Sequence, residues 1–354
     1  MLKLTSISTM KYDNVLLKDI CCPFCQASEG KSLYTVTASE AATHFILPWQ
    51  NPEKYNLLEA HLRCLWNQDI CQIVICLSCN GVFSLPFVAG DKRFYDLACE
   101  QTVYPQEKWE FTRALDWLFQ EVEKSKLLDT NVLEIGAGDG GFLRKVIASG
   151  IDSKNIAAIE YSDRGRNSLE DLELNCVLFD DIPSTTLLMQ WKDKFDFIFM
   201  FQVLEHMDDL DTKLTFLRKC LRPQGQIIIA VPNPKKIYFN ELNGALLDMP
   251  PHHISRFNDS AIHSLAKRNS FEIELVEIEP LDKLKEFRNF CFSRHFRSMQ
   301  SRNSLAALIA QLPSKFRIRR IGERFYRAIT LPVNAMYLPQ IEDGESQLAV
   351  LQKM

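Results

Sequence analysis

Glycine is scarce in this sequence. The chain has 354 residues but only 13 glycines, about half of the usual share of roughly 7%. Apolar residues make up 46% and charged residues 24%, which is an ordinary globular balance. This composition excludes collagen-like, disordered and small disulfide-stapled proteins. The length predicts a chain with a sizeable core and room for two domains.

Long apolar runs are also lacking. No stretch approaches the ~20 apolar residues that a membrane-spanning helix needs. The first thirty residues contain neither a long apolar run nor a small-residue cleavage site, so we expect no signal peptide. These absences predict a cytoplasmic protein with no membrane span. In that reducing setting, clustered cysteines are more often metal ligands than disulfides.

A strong net charge is the third absence. The formal net charge is −4, which does not indicate a dedicated nucleic-acid binder. The charge is nevertheless uneven, because residues 281–327 carry twelve Lys and Arg against three Asp and Glu. One interpretation is an anionic partner such as RNA, a phosphorylated sugar or a membrane surface. The interpretation we favour is a helical appendage whose basic face packs on the acidic remainder of the chain.

The sequence divides into four regions with different patterns. Residues 1–100 are rich in cysteine and irregular, and residues 101–128 are predicted to form a linking helix. Residues 129–279 alternate apolar runs with helical patterns, whereas residues 280–354 are basic and helical to about residue 330, then less regular. The predicted strands are Val132–Ile135, Ile156–Ile159, Val177–Phe179, Phe195–Phe201, Gln226–Val231 and Phe271–Val276. Such alternation predicts an α/β fold with a doubly wound parallel sheet.

The few glycines are concentrated at one turn. Five of them fall within fifteen residues: Gly136, Gly138, Gly140, Gly141 and Gly150. Residues 131–141 are predicted to form a strand, a glycine turn and the start of a helix, where a ligand can approach backbone that carries no Cβ. The spacing fits both G-x-G-x-x-G and G-x-G-x-G. Either match alone is a weak signal, and a purely structural turn is the alternative.

Acidic residues follow the neighbouring strands. Glu134 lies two residues before the first glycine, where a carboxylate can hold a cationic or amino-acid-like ligand. Glu160 ends the second predicted strand, in position to accept hydrogen bonds from both hydroxyls of a ribose. Asp180 and Asp181 follow the third strand, where one could meet an adenine amino group and the other could cap the next helix.

Together these segments resemble the class I S-adenosylmethionine (SAM)-dependent methyltransferases. The matching motifs are E-x-G-x-G-x-G at 134–140, the acids after strands two and three, Phe-Gln-Val-Leu-Glu-His-Met at 201–207, Leu-Arg-Pro-Gln-Gly-Gln at 221–226 and Pro-Asn-Pro at 232–234. The resemblance implies a Rossmann-like sheet that binds SAM at the carboxyl ends of its strands. The residues assigned to SAM are Glu134, Gly136, Gly138, Gly140, Glu160, Asp180, Asp181 and Gln202.

The same resemblance implies a role for most of these residues. Gly136 and Gly138 would line the methionine part of SAM, and Glu160 would bind the ribose hydroxyls. Either Asp180 or Asp181 would contact the adenine, while Gln202 would form the floor of the pocket.

Two C-x-x-C pairs stand in the first hundred residues. Cys22 and Cys25 form one pair, and Cys76 and Cys79 form the other. Each pair can present two thiolates to one tetrahedral Zn²⁺, and four sulfurs close the site against water, so the ion would be structural. The alternatives are buried free thiols or a redox pair. We therefore expect a small N-terminal zinc-knuckle domain.

Histidines are the candidates for acid–base chemistry. His252 and His253 lie in Met-Pro-Pro-His-His-Ile-Ser-Arg-Phe at 249–257, a long connection after the fifth strand that would overhang the carboxyl ends of the strands. Imidazoles titrate near neutrality and suit proton transfer. His206, just beyond the fourth strand, is a further candidate. The alternative for each is a histidine that only packs or caps its loop.

These features predict an enzyme that transfers a methyl group from SAM to a small molecule. A zinc knuckle joined to such a domain resembles bacterial enzymes that include sugar methyltransferases, so a nucleotide-linked sugar or glycan precursor is the expected acceptor. One alternative is an RNA methyltransferase that uses the zinc domain and basic tail, since a ribosomal-RNA methyltransferase group shares the zinc finger. The other alternative is a non-catalytic scaffold with the same fold. The sequence leaves the oligomeric state open.

Overall fold

The computed structural model describes residues 13–98, 106–178, 185–245, 248–312 and 317–354. Asp180 and Asp181, the two candidates for the adenine contact, lie outside these ranges. Within the described residues, no helix is both long enough and apolar enough to cross a bilayer.

The N-terminal region is built on an antiparallel sheet with helices beside it. Its strands are β1 (Leu16–Leu17), β2 (Gly30–Thr37), β3 (Ile70–Cys76) and β4 (Val82–Leu85). Its helices are α1 (Ala38–Phe45), α2 (Pro52–Trp66) and α3 (Lys92–Ala98). Buried and more exposed residues alternate along β2, which is the period expected of a strand with one face on a core.

The rest of the chain forms a second sheet with helices on both of its faces. Its strands are β5 (Val132–Ile135), β6 (Ile156–Ile159), β7 (Cys176–Leu178), β8 (Phe195–Phe201), β9 (Leu221–Pro232), β11 (Phe271–Ile278) and β12 (Ser346–Lys353), and a short strand, β10 (Ser255–Arg256), pairs elsewhere. Its helices are α4 (Trp109–Glu121), α5 (Gly141–Ala148), α6 (Asp163–Leu169), α7 (Thr185–Trp191), α8 (Leu210–Cys220), α9 (Pro234–Leu242), α10 (Asp259–Arg268), α11 (Lys283–Met299), α12 (Leu305–Ala310) and α13 (Arg317–Ala335).

Short 3-10 helices and side-chain caps complete the elements. The 3-10 helices are Lys124–Asp129, Ser153–Asn155, Glu170–Leu172, Leu204–His206 and Leu338–Gln340. Several α-helices begin at a residue whose side chain accepts a hydrogen bond from the first turn: Thr37, Asn51, Ser162, Asn233 and Asn258. Such caps satisfy backbone N–H groups that the helix itself cannot pair.

The order of strands in the second sheet is β11-β12-β9-β8-β5-β6-β7. The five strands from β9 to β7 are parallel, and β12 runs antiparallel to both of its neighbours. Every residue of β5 and β6 is buried, as expected for parallel strands that helices cover on both faces. The strand order reverses at β5, and in α/β sheets ligands bind in the crevice at such a point. The predicted α/β fold is thereby confirmed.

The end of the chain differs from the prediction. Residues 283–335 do contain helices, but the segment after residue 330, expected to be less regular, ends in the strand β12. This strand fills the gap between β9 and β11, and Leu348, Ala349 and Val350 have no exposed surface. Its partners on β9 lie more than a hundred residues earlier in the chain, so no local pattern of strand and helix marks it as part of the sheet.

The two sheets pack against each other through shared residues. Strand β10 joins the N-terminal sheet beside β4. The buried guanidinium of Arg256 in β10 donates hydrogen bonds to Glu241 Oε2 (2.9 Å) and to Tyr34 Oη (2.7 Å) on β2. The ring of Phe24, beside the cysteines, lies 4.9 Å from that of Phe257. Residues of the predicted 1–100 and 129–279 regions therefore share one core.

Candidate active site

The glycine turn lies between β5 and α5. Gly136, Gly138 and Gly140 have φ angles of +71°, +56° and +80°, a region that glycine enters without steric cost. A Cβ on Gly136 would lie 2.5 Å from Val203 Cγ2, and one on Gly140 would lie 2.7 Å from Leu169 Cδ2. Both the conformation and the close approach therefore require glycine, and the turn leads directly into the first residue of α5.

Glu160 follows β6 and holds the glycine turn. Its Oε2 accepts a hydrogen bond from the backbone N–H of Gly138 at 2.7 Å. Its Oε1 accepts from the N–H of Ser162 at 2.8 Å and from the Ser162 hydroxyl at 2.7 Å. These bonds fix the orientation of the carboxylate at the carboxyl end of the sheet, where a ribose is expected.

Glu134 is a buried acid with a carboxylate oxygen that no described protein atom hydrogen-bonds. It is 2% exposed, and its Oε2 has no hydrogen-bond partner among the described residues. Burial raises the pKa of this carboxyl well above its usual value, and the charge of Lys108 only partly opposes the effect. A buried, unpartnered oxygen near the glycine turn is available to a bound ligand.

Gln202 lies at the end of β8 in an unusual conformation. Its φ is +56°, a left-handed conformation that is uncommon outside glycine and is concentrated at functional sites. The side chain donates to Glu110 Oε1 at 3.3 Å and to the Ser346 hydroxyl at 3.2 Å. Gln202 is thus held at the mouth of the crevice between α4 and β12.

A cavity of about 350 Å³ adjoins Gln202 at the carboxyl ends of β8 and β9. The lining residues include Glu110, Lys236, Asp248, His253, Glu279 and Lys285, although most of the surface that they present to the cavity is apolar. The charges are largely paired, since Lys236 Nζ lies 2.7 Å from Glu286 and Lys285 Nζ lies 2.8 Å from Glu279. The volume and the mixture of apolar surface with a few polar groups suit a small molecule.

The three histidines singled out in the sequence lie together. Ring centroids are 4.4 Å apart for His206 and His252, and 4.7 Å apart for each of the other two pairs. His206 follows β8, whereas His252 and His253 come from the connection after α9. Of the three, His253 lines the cavity.

Burial and neighbours set the protonation of this cluster. Burial lowers the pKa of His206 to about 3 and the pKa of His252 well below its ordinary value. Burial also acts to lower the pKa of His253, but the hydrogen bond and charge of Asp248 outweigh it, so that this pKa is raised. The imidazoles of His206 and His252 are therefore neutral near pH 7, whereas Asp248 favours the protonated form of His253 more than burial alone would.

The four cysteines of the two C-x-x-C pairs also converge. Cys22 Sγ lies 3.7 Å from Cys79 Sγ, and Cys25 Sγ lies 3.5 Å from Cys76 Sγ. All four sulfurs lie within 4.8 Å of one another. Tetrahedral zinc with Zn–S bonds of about 2.3 Å places its sulfurs ~3.8 Å apart, so the donor set and spacing suit this ion.

Both cysteine turns have the same backbone design. Gln26 N donates to Cys22 O at 2.9 Å, and Asn80 N donates to Cys76 O at 3.0 Å. Gln26 and Asn80, each directly after the second cysteine of its pair, have φ angles of +63° and +55°. This repeat aims the two thiols of each turn towards the thiols of the other.

The sequence did not single out several residues of the site. Asp248, Lys236 and Lys285 line the cavity, and Glu205 lies buried beside His206. The signal for Glu205 was present in the Leu-Glu-His segment at 204–206, whereas the lysines belong to α9 and α11, which no local motif connects with the site.

Comparisons with known proteins agree with this architecture. Residues 107–276 match the family described as "Methyltransferase domain". A ubiquinone biosynthesis O-methyltransferase of Bartonella bacilliformis is 29% identical over 107 residues, which are 29% of this chain and 41% of that protein. The match therefore spans less than half of that relative's length.

Two solved structures illustrate the structural likeness. A SAM-dependent methyltransferase from Archaeoglobus fulgidus is 18% identical with a TM-score of 0.42, over 69% of this chain and 92% of that one. A phosphoethanolamine N-methyltransferase of Haemonchus contortus, in complex with SAM, is 16% identical with a TM-score of 0.38. This match covers 69% of this chain and 52% of that one. Residues 107–276 are thus similar in sequence to a methyltransferase domain.

Proposed function

We propose that this chain transfers a methyl group from SAM to a small, polar acceptor bound in the cavity beside β8 and β9. The observation that carries the proposal is the hydrogen bond between Glu160 and Gly138. It fixes an acidic residue against a glycine turn at the point where the strand order reverses, which is where ligands bind in α/β sheets.

In this proposal SAM lies along the carboxyl edge of the sheet. Gly136 and Gly138 border its methionine part, and Gly140 leads into the helix that follows. Glu160 accepts hydrogen bonds from the ribose, while Glu134 balances positive charge on the cofactor. Gln202 forms the floor of the pocket and separates it from the acceptor cavity. Asp180 or Asp181 contacts the adenine.

The acceptor is proposed to be a polyhydroxylated molecule such as a nucleotide-linked sugar or another glycan precursor. The charged side chains and amides among the lining residues, including Lys285 and Asn240, can form hydrogen bonds with such a ligand, and the apolar surface between them can contact its ring faces. An acceptor hydroxyl attacks the methyl carbon as the carbon–sulfur bond breaks, and S-adenosylhomocysteine (SAH) leaves. Alignment of these atoms supplies much of the rate.

The acceptor hydroxyl must lose its proton during this reaction, and we assign that role to the cluster of His206, His252 and His253. His253 lines the cavity, and its Nδ1 is held by Asp248 at 2.5 Å. This contact orients the ring, so that Nε2 is the nitrogen that can meet the acceptor in the histidine's neutral form.

The four cysteines are proposed to bind one structural zinc ion. The convergence of the sulfurs within 4.8 Å supports this assignment, and four thiolates leave no open position for chemistry.

A binding measurement followed by a product search tests the proposed function. SAH at saturating concentration should raise the melting temperature of the protein. Isotope-labelled SAM, incubated with the protein and a metabolite extract, should label a polar small molecule that mass spectrometry detects. The absence of a thermal shift with SAH would remove the proposal. Label found in RNA instead, with binding that falls steeply with salt, would favour an RNA acceptor.

A further inference from the structure

The histidine cluster has the arrangement of a metal site rather than of a lone base. One ring nitrogen from each of His206, His252 and His253 lies within 4.8 Å of the others. Three imidazoles from two separate segments meet at one point, although burial of three adjacent rings in a polar site gains little for packing alone. A proton acceptor would need only one of them.

Hydrogen bonds to the far side of two rings fix which nitrogen faces inward. His206 Nδ1–H donates to the backbone carbonyl of His252 at 2.6 Å. His253 Nδ1–H donates to Asp248 Oδ1 at 2.5 Å. Metal-bound histidines typically donate their other ring N–H to a carbonyl or a carboxylate, which orients the ligand nitrogen. His206 has the carbonyl partner and His253 has the carboxylate partner. In each ring Nδ1 is the donor, and Nε2 is the nitrogen with a lone pair that can bind a metal ion.

Glu205 is an independent sign that a cation belongs here. Its side chain has no exposed surface, and neither carboxylate oxygen has a hydrogen-bond partner among the described residues. Oε1 lies 3.7 Å from His206 Nε2. A carboxylate buried without partners is costly unless a positive charge compensates it.

We propose that His206, His252 and His253 bind a divalent first-row transition-metal ion beside the acceptor cavity, with Glu205 as the neighbouring anion. Imidazole ligands favour zinc, iron, nickel or copper over magnesium and calcium, which prefer oxygen. Zinc with Zn–N bonds of about 2.1 Å places its ligand nitrogens ~3.4 Å apart, so the rings close on the ion by small rotations. The three histidines leave at least one position for an oxygen of the acceptor.

The inference rests on the proposed function for the location of the acceptor, and it changes the role of the histidines from proton acceptor to ligand. The acceptor hydroxyl oxygen binds the metal, which makes its proton more acidic. That proton leaves to solvent, and the oxygen attacks the methyl carbon while the carbon–sulfur bond electrons return to the sulfur of SAH. The acceptor class is thereby narrowed to molecules that present an ionisable hydroxyl to a metal ion.

Metal analysis of the full chain tests the binding. Wild-type protein loaded with Zn²⁺ and freed of excess ion should hold one more ion per chain than His206→Ala. The matched control is His263→Ala, which replaces an exposed histidine of α10 and should retain the wild-type content. His206→Gln is the second variant. A thermal shift with SAH shows in each case that the variant is folded and that the cofactor site is intact.

Cobalt distinguishes this site from the cysteine site. Co²⁺ bound to the four thiolates gives intense sulfur-to-metal charge-transfer bands, whereas Co²⁺ bound to imidazoles gives only weaker ligand-field bands. His206→Ala should remove the ligand-field bands of the imidazole site and keep the charge-transfer bands of the thiolate site. Cys76→Ser should remove the charge-transfer bands and keep the ligand-field bands. Spectra and Zn²⁺ contents that are the same in wild-type and His206→Ala protein would overturn the proposal.

Activity then separates this inference from the proposed function. A chelator at a concentration that removes the histidine-bound ion and leaves the four-thiolate zinc in place should abolish methyl transfer while the thermal shift with SAH persists, and added Zn²⁺ or Ni²⁺ should restore turnover. Full turnover in metal-free protein would overturn the metal role and leave the methyltransferase function standing. Asp248→Asn, a change in a positioning residue, should weaken Zn²⁺ binding by about 10–100-fold, with the cobalt thiolate bands unchanged.

Discussion

Two glutamates at the carboxyl edge of the large sheet show how surroundings decide what a carboxyl group does. Glu160 accepts three hydrogen bonds from Gly138 and Ser162 and is held as an oriented acceptor. Glu134 is as deeply buried, but its Oε2 has no partner among the described residues and its pKa is raised. The same residue type therefore serves as a fixed contact in one place and as a titratable group in the other.

Replacement of Glu160 by alanine should weaken SAM and SAH binding by about 10–100-fold, because hydrogen bonds to a charged group contribute roughly 1.5–3 kcal/mol each. Isothermal titration with SAH measures the effect. Asp163→Ala is the control, since the side chain of this nearby aspartate, at the start of α6, is 80% exposed. Equal affinities for SAH in wild type and Glu160→Ala would contradict the assignment of the ribose contact.

Glu134 should make the stability of the ligand-free protein depend on pH. Its folded-state pKa is raised above 4.5, so folding takes up a proton, and the stabilisation is complete at low pH. It is lost as the pH rises from 4.5 towards the folded-state pKa, by up to ~1.4 kcal/mol per pH unit. Melting temperatures from pH 5 to 8 should fall more steeply for wild type than for Glu134→Gln. Parallel curves would contradict the buried acid.

Gly136→Ala should destabilise the protein more than Gly150→Ala. Both glycines have positive φ, +71° and +106°, and alanine in such a conformation costs about 1–2 kcal/mol. Only at Gly136 would the new Cβ meet another side chain, at 2.5 Å, whereas nothing lies within 4 Å at Gly150. Overpacking adds roughly 1–3 kcal/mol. Urea unfolding measures both variants, and equal losses would contradict the close approach.

Local patterns predicted most of the elements of the large sheet. Strands β5, β6 and β8 have the predicted bounds, because buried parallel strands are continuous apolar runs between turns. The predicted start of β9 lies five residues too late, because Arg222, Pro223 and Gln224 are exposed and interrupt the apolar run by which a buried strand is recognised. Strand β12 was missed because its neighbours β9 and β11 are distant in sequence.

The site residues also divide into those that local sequence marks and those that are brought together only by packing of distant segments. Glu160 and the glycines were predictable, because each lies in the turn that directly follows a strand. The contacts of Asp248 and the two cavity lysines depend on how α9 and α11 pack, which no short segment encodes. Local sequence therefore indicates the glycine turn and the acid beside it, whereas the set of residues that line the cavity emerges only from the packing of distant segments.

Truncation of β12 side chains should cost as much as truncation in any central strand. Leu348 has no exposed surface, so Leu348→Ala should lower the free energy of unfolding by about 2–5 kcal/mol. Met354→Ala is the control, because this nearby side chain is 66% exposed. Chemical denaturation compares the two, and a loss below 1 kcal/mol for Leu348→Ala would contradict the central position of the strand.

At the scale of the whole molecule, the cysteine turns are part of the core. Arg268 of α10 donates to the carbonyls of Phe24 (2.6 Å) and Pro23 (2.7 Å) and also pairs with Asp211 of α8 (2.6 Å). Arg268, paired with Asp211, thus fixes the backbone between Cys22 and Cys25 against α8 and α10. Stability of the metal turn and of the large sheet should consequently be linked.

Cys76→Ser should remove one zinc ion per chain and lower the melting temperature of the whole protein in a single transition, because structural metal binding is coupled to folding. Cys64→Ser, at an exposed cysteine outside the cluster, should change neither. Zinc analysis and calorimetry measure the pair of variants. Full zinc content in Cys76→Ser would contradict the four-thiolate site, and two separate transitions would contradict the shared core.

The position of β12 has a consequence for how the protein is made. A ribosome synthesises β5 to β11 before residues 346–353. Until β12 is made, the backbone groups of β9 and β11 that pair with it have no strand to pair with. The sheet can close only late in translation, by insertion of a strand between two that already exist. Nascent chains that stall before residue 346 expose two unpaired edges, which are targets for chaperones and proteases.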